Sequence, residues 1–287
     1  MNRAAIREPG ETRLPLVISI QSQVAYGHVG NSAASLPMRA CGVEVVEVPT
    51  TLLSNHPHYP TMRGRLLEAE LVAEILAGVA ERGLCEHAAV ILSGFMGRAG
   101  TASAVARFVE QARAVNPRLV YVCDPVMGDA DLGFFVDEPL RAAFARELVP
   151  LADVIMPNTF ELGALSGIAI TGAEAVAAAR TALGCPAVVA TSVPAHGRPD
   201  HLAVVTARAD GCSIVETARL PVRPAGTGDL LSGLTAARIA LGLDLETAVA
   251  RAVAGVAEAL LRTSGEPWAE MPVTAALDAI VTAGEQR

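Results

Sequence analysis

The 287-residue chain contains no lysine; all 22 of its basic residues are arginine. Any anion it binds must therefore be met by arginine, by main-chain N–H groups or by a bound cation. Aromatic residues are also scarce, at 3%, so the core has to be built from Ala, Val and Leu, which suits helices packed on buried strands. There is no basic stripe, and the net charge is −8. That excludes nucleic acid as a partner and requires any anionic substrate to be neutralised locally, which points to a metal ion. No run of 18 uncharged apolar residues occurs, and the opening MNRAAIREPGETRLP lacks the apolar stretch of a signal peptide, so no membrane partner is expected. Residues 1–14 read as a flexible leader to a single domain over 15–287. The five cysteines, Cys41, Cys85, Cys123, Cys185 and Cys212, are odd in number and form no CxxC pair. They read as reduced core residues of a cytoplasmic protein, not as a disulfide framework or a zinc site.

Apolar runs at 16–20, 43–48, 88–93, 119–124, 153–158, 187–192, 202–207 and 212–217 read as strands. The early ones are hydrophobic almost throughout, as strands buried on both faces are. Helical patterns lie between them at 31–41, 68–82, 101–115, 137–147, 159–166 and 172–184, and three more follow at 228–241, 245–262 and 273–283. The alternation predicts an α/β fold of three layers, α/β/α, with a mostly parallel central sheet. Ligands of such sheets sit outside the carboxyl ends of the strands. Ser22, Asn55, His56, Gly94, Asp124, Asn158 and Glu161 all fall there in the pattern.

In PAGTGDLLSG (224–233), Gly226 and Gly228 let main chain approach a ligand, and the following residues have helical spacing. The turn therefore delivers free N–H groups and the positive end of a helix dipole to one spot, which can cradle phosphate without lysine. An isolated GxGD is read more simply as a tight turn whose aspartate caps the helix. A carboxylate does not bind phosphate, however. Asp229 makes chemical sense as a base that takes the proton from an attacking alcohol. Asp124 in CDPVMGD and Glu161 in PNTFE are the candidates for the Mg²⁺ side, directly or through water. Glu161 is equally a capping-box residue three positions after Asn158.

Taken together, IQSQVAYGHVGNSAA (20–34), SNHPHYPTMRG (54–64), LSGFMG (92–97), VCDPVMGD (122–129), MPNTFELGALSG (156–167) and GTGDLLSG (226–233) resemble the pyridoxal kinase branch of the ribokinase superfamily. The resemblance implies a ribokinase-like fold, a homodimer, and ATP-dependent, Mg²⁺-dependent phosphorylation of the 5′-hydroxyl of pyridoxal, pyridoxine or pyridoxamine. A monovalent cation is left open. Carried over by position, it implies Asp229 as catalytic base, with Gly226, Thr227 and Gly228 as the anion hole. Ser22 would contact the pyridine ring, His56 would lie in the flap near substrate, and Phe95 would stack. Asp124, Met156, Glu161 and Thr191 would line the nucleotide and metal side.

The chain departs from relatives where Pro57-His58-Tyr59-Pro60 stiffens the flap, where Phe95 replaces a tyrosine, and where Thr191 stands for a lysine found in some relatives. These departures bear on vitamer preference and rate more than on fold. Two rival readings stay open: a kinase of hydroxymethylpyrimidine or another small alcohol on the same fold, and a non-catalytic B6-vitamer-binding protein. A dinucleotide dehydrogenase is disfavoured, because no GxGxxG follows the first strand.

Overall fold

β1 (Leu16–Val24) is buried along almost its whole length, with only Gln23 partly exposed. Such a strand has to lie inside a sheet that is covered on both faces. The structure, a computed structural model, describes residues 14–266 and 269–285; the leader expected over 1–14 lies outside these apart from Leu14. After β1 the chain forms α1 (Asn31–Ala40), β2 (Glu44–Leu53), β3 (Gly64–Leu66), α2 (Ala69–Glu81), β4 (Ala88–Ser93), α3 (Ala99–Val115) and β5 (Val120–Cys123). A short hairpin, β6 (Gly128–Asp129) and β7 (Gly133–Phe134), precedes α4 (Glu138–Ala143), β8 (Val154–Ile155), α5 (Thr159–Ser166) and α6 (Ala173–Leu183). The last elements are β9 (Ala187–Pro194), β10 (His201–Arg208), β11 (Gly211–Ala218), α7 (Thr227–Ala240), α8 (Leu245–Leu261) and α9 (Leu277–Thr282). No helix among the described residues is long and apolar enough to cross a membrane.

The main sheet runs β11-β10-β9-β8-β5-β4-β1-β2-β3. Pairing is parallel from β9 through to β2, and antiparallel only at the two edges, β9/β10/β11 and β2/β3. Consecutive residues of one strand enter opposite cores, as a side-chain period of two requires. Ile18, Ile91, Tyr121 and Val188 pack with Leu76, Val105, Phe144 and Val176, under α2, α3, α4 and α6. Their neighbours Val17, Leu92, Val122 and Val189 pack with Met38, Leu230, Leu234 and Val249, under α1, α7 and α8. Burying each such side chain contributes about 1.5–3 kcal/mol, which makes this scaffold the rigid part of the molecule.

The chain leaves β1 over α1 to β2, then returns through α2 to β4 on the other side of β1. Because α1 and α2 lie on opposite faces, the connections diverge at the carboxyl ends of β1 and β4, and a crevice opens there.

The structure departs from the sequence reading in several places. β1 extends to Val24, so Ser22 lies within the strand and not after it, beside an irregularity in its pairing with β2 between Gln21 and Gln23. β3 and the β6/β7 hairpin have no strand-like pattern of their own and exist through pairing alone. The helix expected over 137–147 is α-helical only to Ala143, then widens into a π turn (Phe144–Leu148) and tightens into a 3₁₀ turn (Val149–Leu151). Pro150, which has no N–H to donate, accounts for the break. Cys212 is exposed on the edge strand β11, not in the core, and Cys41 is only half-buried.

Candidate active site

Gly226 occupies the N-cap of α7 at φ 82° and offers no side-chain cap. A Cβ there would sit 1.8 Å from the His28 carbonyl oxygen, so the position admits only glycine. Leu230 N–H is the first of α7 to close a bond, onto the Gly226 carbonyl at 2.9 Å. The N–H groups of Thr227, Gly228 and Asp229 meet no acceptor among the described residues. They point out of a helix whose residues Leu230 to Arg238 are all buried and which approaches α1 closely where Gly233 meets Ala34. The result is a fixed set of unpartnered donors at a helix N-terminus.

Asp229 is the third residue of α7, so it is not the cap. Its carboxylate takes no hydrogen bond or ion pair from another side chain among the described residues. Burial pushes its pKa up, and the nearby Gly30 amide pulls against that. Gly30 in turn lies against Ser22: a Cβ on Gly30 would meet the Ser22 carbonyl oxygen at 2.1 Å and Oγ at 2.4 Å. Ser22 Oγ, on a buried residue, has no hydrogen-bond partner among the described residues. Phe95 follows β4 at the same rim, half-buried, its carbonyl held by Thr50 Oγ1 at 2.6 Å and its ring 6.5 Å from that of Phe135. Asn31, the first residue of α1, lies buried and accepts from Ser19 Oγ at 2.7 Å.

Asp124 directly follows β5 and is buried, and its Oδ2 lies 3.9 Å from where a Cβ of Gly228 would be. Its pKa is pushed well up by burial, then by the charges of Glu161 and Asp229. Glu161, also buried, is pushed up to about 7, chiefly by burial and against three main-chain donors. Those donors are Met127 N–H (2.8 Å) and Gly128 N–H (3.3 Å) on Oε1, and Asn158 N–H (2.9 Å) on Oε2. Asn158 Oδ1 accepts from Glu161 N–H, completing the capping box of α5. The cap and the acidic site are thus one residue. Asp124, Glu161 and Asp229 gather without any arginine paired to them among the described residues, although no group of three His, Cys, Asp or Glu there is arranged as a ready-made metal cage. Thr191 sits beside this wall, half-buried, bridged to Asn158 with its N–H on the Pro157 carbonyl at 2.9 Å. Ser192 follows at φ 59°, a left-handed conformation that costs a non-glycine residue about 1–3 kcal/mol. Met156 is buried in the core under α7, so it underlies the rim instead of opening onto it.

His56 is buried to 1% exposure, and its Nε2 lies 2.8 Å from Glu270 Oε1. That contact places it as a strut of the flap, at one remove from the cleft. Glu270 itself carries no motif in the sequence and was not anticipated. The only signal is an acid flanked by residues that turn out buried, Met271 and Val273. Asp129 and Asp131 both pair with Arg223, which ties the hairpin to the segment before α7. Arg198 pairs with Glu216 at the far sheet edge.

Residues 38–269 match the phosphomethylpyrimidine kinase family. The chain is 40% identical to pyridoxal kinase PdxY of Leifsonia xyli over 87% of its own length and 90% of that protein. It is 37% identical to pyridoxal kinase PdxY of Rubrobacter xylanophilus over 92% and 93%. Its fold superposes on Leishmania donovani pyridoxal kinase in complex with ADP and pyridoxamine with a TM-score of 0.85, at 27% identity over 93% of this chain and 96% of that one. With the glycine turn, the aspartate and the acidic wall on one rim of such a sheet, the chain belongs to the pyridoxal kinase branch of the ribokinase superfamily.

Proposed function

We propose that the protein transfers the γ-phosphoryl group of ATP to the 5′-hydroxyl of pyridoxal, giving pyridoxal 5′-phosphate and ADP in vitamin B6 salvage, and also to that of pyridoxine and pyridoxamine, giving their own 5′-phosphates. The observation that carries this is the pairing of the half-buried Asp229 carboxylate, which no other side chain engages among the described residues, with the unpartnered N–H groups of Thr227 and Gly228 on the same turn. Asp229 accepts the hydroxyl proton as the oxygen attacks, and its raised pKa brings it closer to the operating pH of a general base. The N–H groups hold the transferred group, whose charge grows on its peripheral oxygens. Ser22 Oγ is free to meet a polar edge of the ring, and Phe95 offers an apolar face.

Asp124, with Glu161 behind it, fits the coordination of Mg²⁺, because buried acids without a cationic partner need one. Bound there, the ion would neutralise the β- and γ-phosphates, a task that the absent lysine cannot perform. Thr191 lies where the nucleotide would run, and His56 supports the flap. One continuous sheet supports reading 15–287 as a single kinase domain. A homodimer and a cytoplasmic location complete the proposal on the family resemblance.

The family match to phosphomethylpyrimidine kinases keeps a second acceptor in play, hydroxymethylpyrimidine. A coupled ADP-release assay over the three vitamers and hydroxymethylpyrimidine, with and without Mg²⁺, decides the question. Turnover of vitamers that requires Mg²⁺ is expected. Turnover of hydroxymethylpyrimidine alone would overturn the assignment, and vitamer binding without turnover would favour the non-catalytic reading.

A further inference from the structure

Glu270 is the single most connected acid in the described structure outside the acidic wall, and the reaction does not use it. Its carboxylate accepts from His56 Nε2 at 2.8 Å and Tyr59 OH at 2.9 Å on Oε1, and from His28 N–H at 2.9 Å on Oε2, with His28 Nδ1 at 3.4 Å. The His58 N–H donates to His56 Nδ1 at 3.3 Å, which leaves the proton of that ring on Nε2, aimed at Glu270. Gly27 makes room for the carboxylate, since a Cβ there would be 2.4 Å from Oε1. Met271 and Val273, both wholly buried in the core under α7 and α8, anchor the segment that presents it.

Each of these partners leads to the reacting centre. His28 carries on its other side the carbonyl that abuts Gly226, and the same loop ends at Gly30, beside Ser22 and Asp229. His56 and Tyr59 belong to the flap, which is closed at its base by Ser54 N–H on the Arg63 carbonyl. We propose that Glu270 is a positioning residue that sets the flap in register with the anion turn, through His28 on one oxygen and His56 and Tyr59 on the other. The inference rests on the kinase reading of the site.

Its test combines steady-state kinetics with amide hydrogen exchange on the full-length protein and its Glu270→Ala and Glu270→Gln variants. Glu270→Ala should lower kcat/KM for the alcohol by roughly tenfold or more, since small misplacements of reacting groups are costly. KM for ATP should stay within about twofold and exchange should quicken at residues 25–30 and 55–60 but not at 124–129. Glu270→Gln keeps the shape but has one accepting oxygen, so one of the two arms must lose its acceptor; its loss should fall between parent and alanine. If alanine does not fold, glutamine alone carries the test. Two results would overturn the proposal: kinetic constants within about twofold of the parent with only Tm lowered, or unchanged exchange in both segments. A parent that phosphorylates none of the alcohols would instead refute the function, and the exchange experiment would still judge the clamp.

Discussion

The anion turn abuts His28 directly, the flap reaches it only through Glu270, and the two are held by opposite means. The turn is fixed by close main-chain packing: Gly226 against the His28 carbonyl, Gly233 against Ala34, and a helix buried over Leu230 to Arg238. The flap is fixed by polar side chains that converge on one carboxylate, with aromatic support from the His56 and Tyr59 rings 4.7 Å apart. Close packing tolerates almost no substitution, because interiors are as dense as crystals. A side-chain hydrogen bond contributes only about 0.5–1.5 kcal/mol net. Changes in the turn should therefore act on the rate of chemistry, and changes in the flap on capture of the alcohol.

The largest expected effect is that of Asp229→Ala, which should lower kcat by about 10²–10⁴-fold, the usual worth of a general base. Equilibrium dialysis should show vitamer binding largely kept. Near-normal turnover would remove the base and with it the contrast. Gly226→Ala comes next. Its methyl group would collide with the His28 carbonyl in a left-handed backbone, so kcat should fall by about 5- to 150-fold, the equivalent of about 1–3 kcal/mol of strain. If only KM moved, the turn would be behaving like the flap.

A third test concerns the acidic wall. Burial holds the folded pKa of Glu161 at about 7 against an ordinary value of 4.5. The folded state therefore binds this proton more tightly than the unfolded one, and stability should fall as pH rises from about 4.5 through about 7. Asp124 and Asp229 shift in the same direction. Scanning calorimetry of the ligand-free protein should show Tm falling by a few degrees over that window, and Mg²⁺ should restore more of it at pH 7.5 than at pH 5. The mildest change is Tyr59→Phe, which removes one hydroxyl from Glu270. KM for the alcohol should rise by about 2- to 10-fold, matching one hydrogen bond, with kcat unchanged.

The same contrast explains what could be read from the chain. All eight expected strands occur, because runs such as LVISI and AAVILS carry their own pattern of burial. α5 was visible through its capping box, and α7 through the glycines before it. β3 and the β6/β7 hairpin were not visible, since strands of two or three residues are too short to carry an alternating pattern, and the break after Ala143 is set by Pro150, which lies beyond the helical pattern that ends at 147. In the site, Asp229, Asp124, Glu161 and Ser22 were singled out by neighbours a few residues away. Glu270 lies 242 residues from His28 and 214 from His56, so nothing near it in the chain announced its role.

Local order alone, then, dictates a layered sheet with an acidic rim and a glycine turn that opens a helix, because strand burial, capping and main-chain conformation are short-range properties. Folding in three dimensions decides which acids share a wall, that His56 serves as a strut, and that one glutamate near the end of the chain holds the flap. Those outcomes depend on side chains meeting across the crevice, where distance in space has no counterpart in sequence separation.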